Sequence, residues 1–215
     1  MNPLSPTART RLGRLPERSS TDRSVLYEIL DDGMICHLGL IVDGSPRVIP
    51  TAYGRLDDTL YLHGSTGASS LRAGPSQDIC VTVTHLDGLV LARSLFHHSI
   101  NYRSAIVYGT PRPADGDEKL TGLRVITEQL TPGQWDVARH PDRKELAGVS
   151  VLALSLDEAS VKVRQGPPGD EEEDYALDVW AGVLPVTQTF GAPAPDPLLR
   201  PGIPIPGHIT QRVTS

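Results

Sequence analysis

The chain has 215 residues, 39% of them hydrophobic and 21% charged, a globular composition with room for one full-sized domain. Its net charge of −6 excludes a nucleic-acid partner held through phosphates, which needs a basic surface. Two cysteines, Cys36 and Cys80, make no disulfide framework, and both fall in apolar strand-like runs where Cys acts as a small buried hydrophobe.

Residues 1–19 are polar and rich in Arg and Pro, which predicts a flexible arm and lacks the apolar centre of a signal peptide. No apolar run approaches the roughly 18 residues of a membrane span, so the expected compartment is the cytoplasm. Thr21 to Asp32 predicts a short helix, with Val25, Leu26, Ile29 and Leu30 on one face and Gly33 placed for a left-handed C-terminal residue. The period then changes from helical to alternating. Met34 to Val42, Arg47 to Leu56 and Thr59 to His63 predict a three-strand meander, turned at Asp43-Gly44 and Asp57-Asp58.

Gly64 to Gly74 breaks the pattern as a loop feeding a short helix. Ile79 to His85 alternates cleanly, Asp87-Gly88 signals another hairpin, and Leu89 to Leu95 is its expected return. Phe96 to Asn101 predicts a short irregular element and Tyr102 to Pro111 a further strand. Asp115 to Leu130 is the one long helix, with acidic residues in its first turn where the helix dipole favours them. Arg139 to Ala147 predicts a second helix, and Val149 to Leu156 and Ala159 to Gln165 the last long strands. Gly166 to Tyr175 is an acidic, solvated loop, Trp180 to Val186 is apolar enough to dock, and 191–215 is a Pro-rich, extended tail. Seven to eight short strands with few helices predict a mainly β domain over 20–190 that hides its edges by closing into a barrel.

Four segments could carry chemistry. In Arg47-Val48-Ile49-Pro50-Thr51 the proline cannot donate to a ladder, so this is an ordinary edge strand or a place where backbone faces a ligand. His63-Gly64-Ser65-Thr66, continuing through Ser69, Ser70 and Arg72, suits an anion, because hydroxyls and backbone N–H groups can converge there. A flexible polar loop is the plainer reading, and no Gly-Lys-Ser/Thr ending marks a P-loop. In the run His97 to Ser104 the adjacent histidines would point to opposite faces of a regular strand, and no metal site is expected. Arg103 enters a strand that looks buried, so it should meet a carboxylate or a phosphate. Trp180 stacks on a ligand ring or plugs the core. No nucleophile elbow or catalytic Cys context is present, so a bound cofactor would carry any chemistry.

Taken together, the segments resemble the pyridoxamine-5′-phosphate-oxidase-like FMN-binding split barrels, and more closely the flavin-nucleotide-binding branch that includes nitroimidazole-resistance proteins. The residues behind this are Ile35-Cys36-His37-Leu38-Gly39, Arg47 to Thr51, Leu60 to Ser65, His98-Ser99-Ile100-Asn101-Tyr102-Arg103-Ser104 with Val107-Tyr108-Gly109, Val161 to Arg164 and Trp180 to Pro185. The resemblance covers roughly 20–190, and its most specific part is the His-Ser-x-Asn-Tyr-Arg-Ser run. It implies a six-stranded split β-barrel with a few peripheral helices, a homodimer, and FMN at the dimer interface. By the same resemblance Val48 to Thr51 lie along the isoalloxazine. His63 to Thr66 and Ser69 to Arg72 take the ribityl-phosphate end, Tyr102, Arg103 and Ser104 approach that end, and Trp180 comes from the partner subunit.

The chain departs from the family where relatives carry Lys or Arg beside the phosphate. Here those positions are Ala68, Ser69 and Ser70, which leaves Arg72 and Arg103 to substitute and opens F420 or haem as alternatives to FMN. The expected function is an FMN-dependent oxidoreductase acting on a small organic molecule, with a small-molecule substrate or electron donor as partner. The alternative is a non-catalytic flavin carrier.

Overall fold

The computed structural model describes residues 3–4 and 7–214. Its strands are β1 (Ser19–Ser20), β2 (Ile35–Val42), β3 (Ser45–Leu56), β4 (Thr59–Ser65), β5 (Ile79–Leu91), β6 (Ser99–Gly109), β7 (Arg112–Pro113), β8 (Val149–Ser155), β9 (Ala159–Arg164) and β10 (Gly182–Pro185). The helices are α1 (Arg23–Asp32), α2 (Ser69–Ala73), α3 (Gly116–Leu130), α4 (Arg143–Gly148) and α5 (Gly207–Thr214). All strand pairings among the described residues are antiparallel, in the order β1-β9-β6-β5-β2-β3-β4-β8-β7, with β10 added on β5. Leu38, Leu62, Val81, Val107, Leu154 and Val161 share one buried cluster. Strands from both ends of the sheet order therefore face the same interior, which means the sheet curls into a barrel. The period-two alternation of these strands is what puts their apolar residues inside.

The β2-β3-β4 meander forms as its turns require. Asp43 and Gly44 both have positive φ, 51° and 74°, the geometry of a tight hairpin turn whose twist matches the flanking strands. Helix α1, capped by Asp22 on the Ser24 N–H, closes one end of the barrel with Leu26, Ile29 and Leu30. Its last carbonyls are taken by Gln129 Nε2, which donates to Leu30, Asp31 and Gly33 at 3.0, 2.7 and 2.8 Å. The following Gly33 is extended (φ −85°, ψ 147°) rather than left-handed. It is glycine because the Tyr53 hydroxyl and Val83 crowd the place of a Cβ.

Four further expectations are corrected. Asp87-Gly88 is not a hairpin turn: β5 runs through it, with a register shift against β6 between Leu86 and Gly88. Glycine is needed at 88 because β10 lies so close that a Cβ would meet Val183 at 2.9 Å and the Leu184 carbonyl at 3.2 Å. The acidic loop is not wholly solvated, since the Asp170 side chain is fully buried and accepts from the Arg93 and Ser94 N–H groups at 2.9 and 3.1 Å. In the N-terminal arm Leu4 is buried, and Arg9 bonds Asp78 and Glu158; residues 1–2 and 5–6 lie outside the described residues. The tail ends in α5, where Arg212 Nη2 donates to the Leu130 carbonyl at 2.6 Å.

Among the described residues no helix is long and apolar enough to cross a membrane.

Candidate cofactor site

One edge of β5 is paired with β6 along its length, and the other edge is shared. β2 takes Cys80 to Thr82, and β10 takes Gly88 to Leu91. Between them the barrel wall is split. A cavity of about 710 Å³ opens at the split, lined among others by Met34, His85, Asp87, Arg103, Phe190 and Arg212. A second cavity of about 330 Å³ shares Asp32, Met34, Thr84, His85 and Gln188 with it and extends to His37 and Pro50. Both volumes are within the range of about 300–1,000 Å³ that holds cofactors and drug-sized ligands.

Charge at this mouth is already matched by protein. Arg103 Nη1 donates to Asp32 at 2.7 Å, and its Nε and Nη2 make a two-pronged contact to Asp87 at 3.2 and 3.1 Å. The bonds to Asp87 first, then to Asp32, hold its guanidinium above the ordinary arginine range. Arg103 therefore meets carboxylates, and within one chain its strand is separated from β4 by β5, β2 and β3. Tyr102 and Ser104 point to the opposite face of β6, where Ser104 accepts from Thr84 Oγ1 at 3.3 Å. Asp31 and Asp32 sit at the C-terminal end of α1, where the helix dipole disfavours carboxylates. That placement was the readable signal that Arg55 and Arg103 would neutralise them. Arg212, Gln129 and Gln188 were not foreseen at the mouth, because the C-terminal segment gave no sign of returning to the barrel.

The other predicted segments form a second region, at the far ends of β3 and β4. β3 pairs with β2 through Ala52 and with β4 only from Tyr53 onward, so Arg47 to Thr51 present a free backbone edge. Val48 is 70% exposed. Beyond the divergence, His63, Gly64 and Ser65 pair with β8. Ser65 Oγ accepts from Gly67 N–H at 3.1 Å, and Thr66 N–H donates to the Gly148 carbonyl at 3.1 Å, which orders the loop before α2. Ser70 is buried. Arg47 and Arg72 are exposed and make no side-chain hydrogen bond or ion pair with any described residue.

His63 stands apart. Its Nδ1 is sealed from solvent and has no hydrogen-bond partner among the described residues, and burial pushes its pKa down. The other predicted histidines are locally engaged: His98 Nδ1 lies 3.1 Å from the Ser94 carbonyl and His97 Nε2 lies 3.5 Å from Glu171. Trp180 is not core. It is 67% exposed, with Gly182 leaving room for its ring.

The sequence profile of the family described as pyridoxamine 5′-phosphate oxidase matches residues 22–163, two thirds of the chain. The chain belongs to this family. Among solved structures of the family's fold, the flavocytochrome Anf3 from Azotobacter vinelandii is 39% identical with a TM-score of 0.92, over 98% of this chain and 99% of that one. The FAD and heme binding protein from Mycobacterium smegmatis is 39% identical with a TM-score of 0.88, over 91% and 97%. A Bacteroides thetaiotaomicron protein described as a 5-nitroimidazole antibiotic resistance protein shares the fold at 23% identity and a TM-score of 0.56, over 67% and 86%. Among curated proteins nothing matches the chain. The mainly β split barrel that the sequence resemblance implied is thus the fold of this family member.

Proposed function

We propose that the protein is a flavin- and haem-binding electron-transfer protein that acts as a homodimeric oxidoreductase on a small molecule. The observation that carries this is the end-to-end likeness to two structures whose descriptions join a flavin with a haem. The chain itself supplies a fitting scaffold. The free edge at Val48 to Thr51 offers unpaired backbone groups to an isoalloxazine ring, and Pro50 also lines the smaller cavity. Ser65, Thr66, Ser69, Ser70 and the unpaired Arg72, with Arg47, provide hydroxyls and cations for phosphate. The cofactors would supply the redox chemistry, while the protein holds, orients and screens them.

Exposed apolar side chains support the dimer. Leu95 and Phe96 are 85% and 88% exposed, and Leu177, Val179, Trp180 and Leu184 are exposed as well, side chains that a partner subunit would cover. Trp180 of one subunit would then reach the flavin of the other.

Purification of the full chain after expression with flavin and haem precursors tests the reading. Flavin and haem absorption together, with the masses of the released ligands, support it and distinguish FAD from FMN. A deazaflavin mass, or no bound cofactor after reconstitution, overturns it. Light scattering reads the dimer.

A further inference from the structure

We infer that the pocket between α3, α4 and β8 takes the adenosine half of a flavin dinucleotide. This rests on the flavin reading and deepens it, since it assigns FAD rather than FMN and names the residues that tell the two apart.

The pocket has a volume of about 300 Å³. That is at the lower end of the sizes that hold small ligands, so it suits one part of a cofactor better than the whole. Leu123 and Val149 give it apolar walls, and Trp135 and Pro141 add rings. The walls are fixed by the chain's own bonds. Glu128 accepts from the Gly133 and Trp135 N–H groups at 2.7 and 2.9 Å, and His140 Nε2 lies 3.1 Å from the Trp135 carbonyl. The His140 ring is 4.8 Å from the indole, centroid to centroid. Arg139, also in the wall, makes a two-pronged contact to Glu145 at 2.9 and 2.6 Å. An indole and a guanidinium plane held this way need little further ordering to receive a flat base, and bases stack on such planes.

The occupant follows from what lies next to the pocket. Val149 lines it and is the register partner of Ser65 on β4. Partners in register share a sheet face, with Cβ atoms about 5 Å apart. The Thr66 N–H donates to the Gly148 carbonyl at 3.1 Å, which ties the same loop to the last residue of α4. In the sheet, β4 lies between β3 and β8. The three neighbouring strands therefore offer, in order, the free edge proposed for the isoalloxazine, the hydroxyl loop proposed for the phosphate, and this pocket. FMN ends at its phosphate and would not reach the third station. FAD continues past that phosphate with a second one and an adenosine, the part whose aromatic base fits walls of this kind.

The test titrates the purified, flavin-free full chain with FAD and with FMN, following flavin fluorescence, in wild type, Trp135→Ala and Ala138→Phe. Ala138 is an exposed residue of the pocket lining, so the phenylalanine narrows the pocket from its rim without disturbing the core. The proposal expects wild type to bind FAD about tenfold or more tighter than FMN, within the worth of one stacked base. It expects both variants to bind FAD no better than FMN, with FMN affinity unchanged. Equal affinity of wild type for the two flavins overturns the proposal and leaves the flavin reading standing. A FAD preference that survives in both variants also overturns it, because the adenosine then lies elsewhere. Equal losses of FAD and FMN in variants that keep their fold by circular dichroism overturn it as well, since the pocket then acts on the half that the two flavins share. Wild type that binds neither flavin overturns both readings.

Discussion

The split mouth and the β4–α2 region differ in how their polar groups are used. At the mouth, Arg103 is shared by Asp32 and Asp87, and Gln129 takes three carbonyls of the α1 terminus. These groups are spent on joining α1, β5, β6 and α3. At the β4–α2 region the side chains of His63, Arg72 and, on β3, Arg47 make no hydrogen bond or ion pair with any described residue. Arg47 and Arg72 are exposed and solvated, so their side chains stay available to a ligand, whereas the sealed His63 Nδ1 goes without a partner. The larger cavity is at the mouth, while Arg72, a cation without a partner among the described residues, is on α2, so cavity size and free charge point to different places.

The sharpest way to break this contrast is to disturb what both regions share. Helix α3 lies so close to β3 that a Cβ on Gly54 would sit 2.7 Å from the backbone of Val125 and Ile126. Gly54→Val should cost about 3 kcal/mol or more, because backbone cannot yield as a side-chain tip can, and should loosen α3, whose Gln129 holds the end of α1. Denaturant unfolding measures the effect. Arg103→Ala comes next. It leaves two carboxylates facing each other at the mouth, and the partly exposed site discounts the loss to about 1–2 kcal/mol. Flavin affinity should stay the same, as read by fluorescence titration.

Arg72→Ala should do the reverse. Apo stability stays within about 0.5 kcal/mol, as for exposed positions. Flavin affinity falls by roughly 1.5–3 kcal/mol, the worth of a hydrogen bond to a charged group. The smallest effect is a pH dependence of helix α4. The Arg139 guanidinium, then the Asp142 N–H, bring Glu145 down to about 2 in the capping box of α4. A carboxyl lowered in the folded state stabilises above its unfolded value of about 4.5. That contribution persists into mild acid and is lost as pH falls through about 2, which a carboxyl titration by NMR follows.

What could be read from the sequence was local. The Asp43-Gly44 turn and the alternation of β5 need only neighbours a few residues away, and they were legible. The same Asp-Gly signal misled at 87–88, because Gly88 answers to Val183 and Leu184, far along the chain and in a segment with no strand-forming pattern of its own. The need of Arg103 for a partner followed from its burial. Which partner it finds depends on the end of α1, 71 residues away. His63 could be singled out as a site residue, but its lack of any partner is a property of packing that no spacing encodes. The docking of Asp170 is similar: one carboxylate in an acidic run turns inward because two backbone N–H groups await it.

The direct test of the division between the two regions is thermal unfolding of wild type, Arg103→Ala and Arg72→Ala, each without ligand and then with added flavin. Ligands that bind only the native state raise its melting temperature in proportion to their affinity. Arg103→Ala should melt lower without ligand and keep the full ligand-induced rise. Arg72→Ala should melt close to the wild-type temperature without ligand and show a smaller flavin-induced rise. A full flavin response in Arg72→Ala, with the loss confined to Arg103→Ala, would contradict the account and return the site to the mouth.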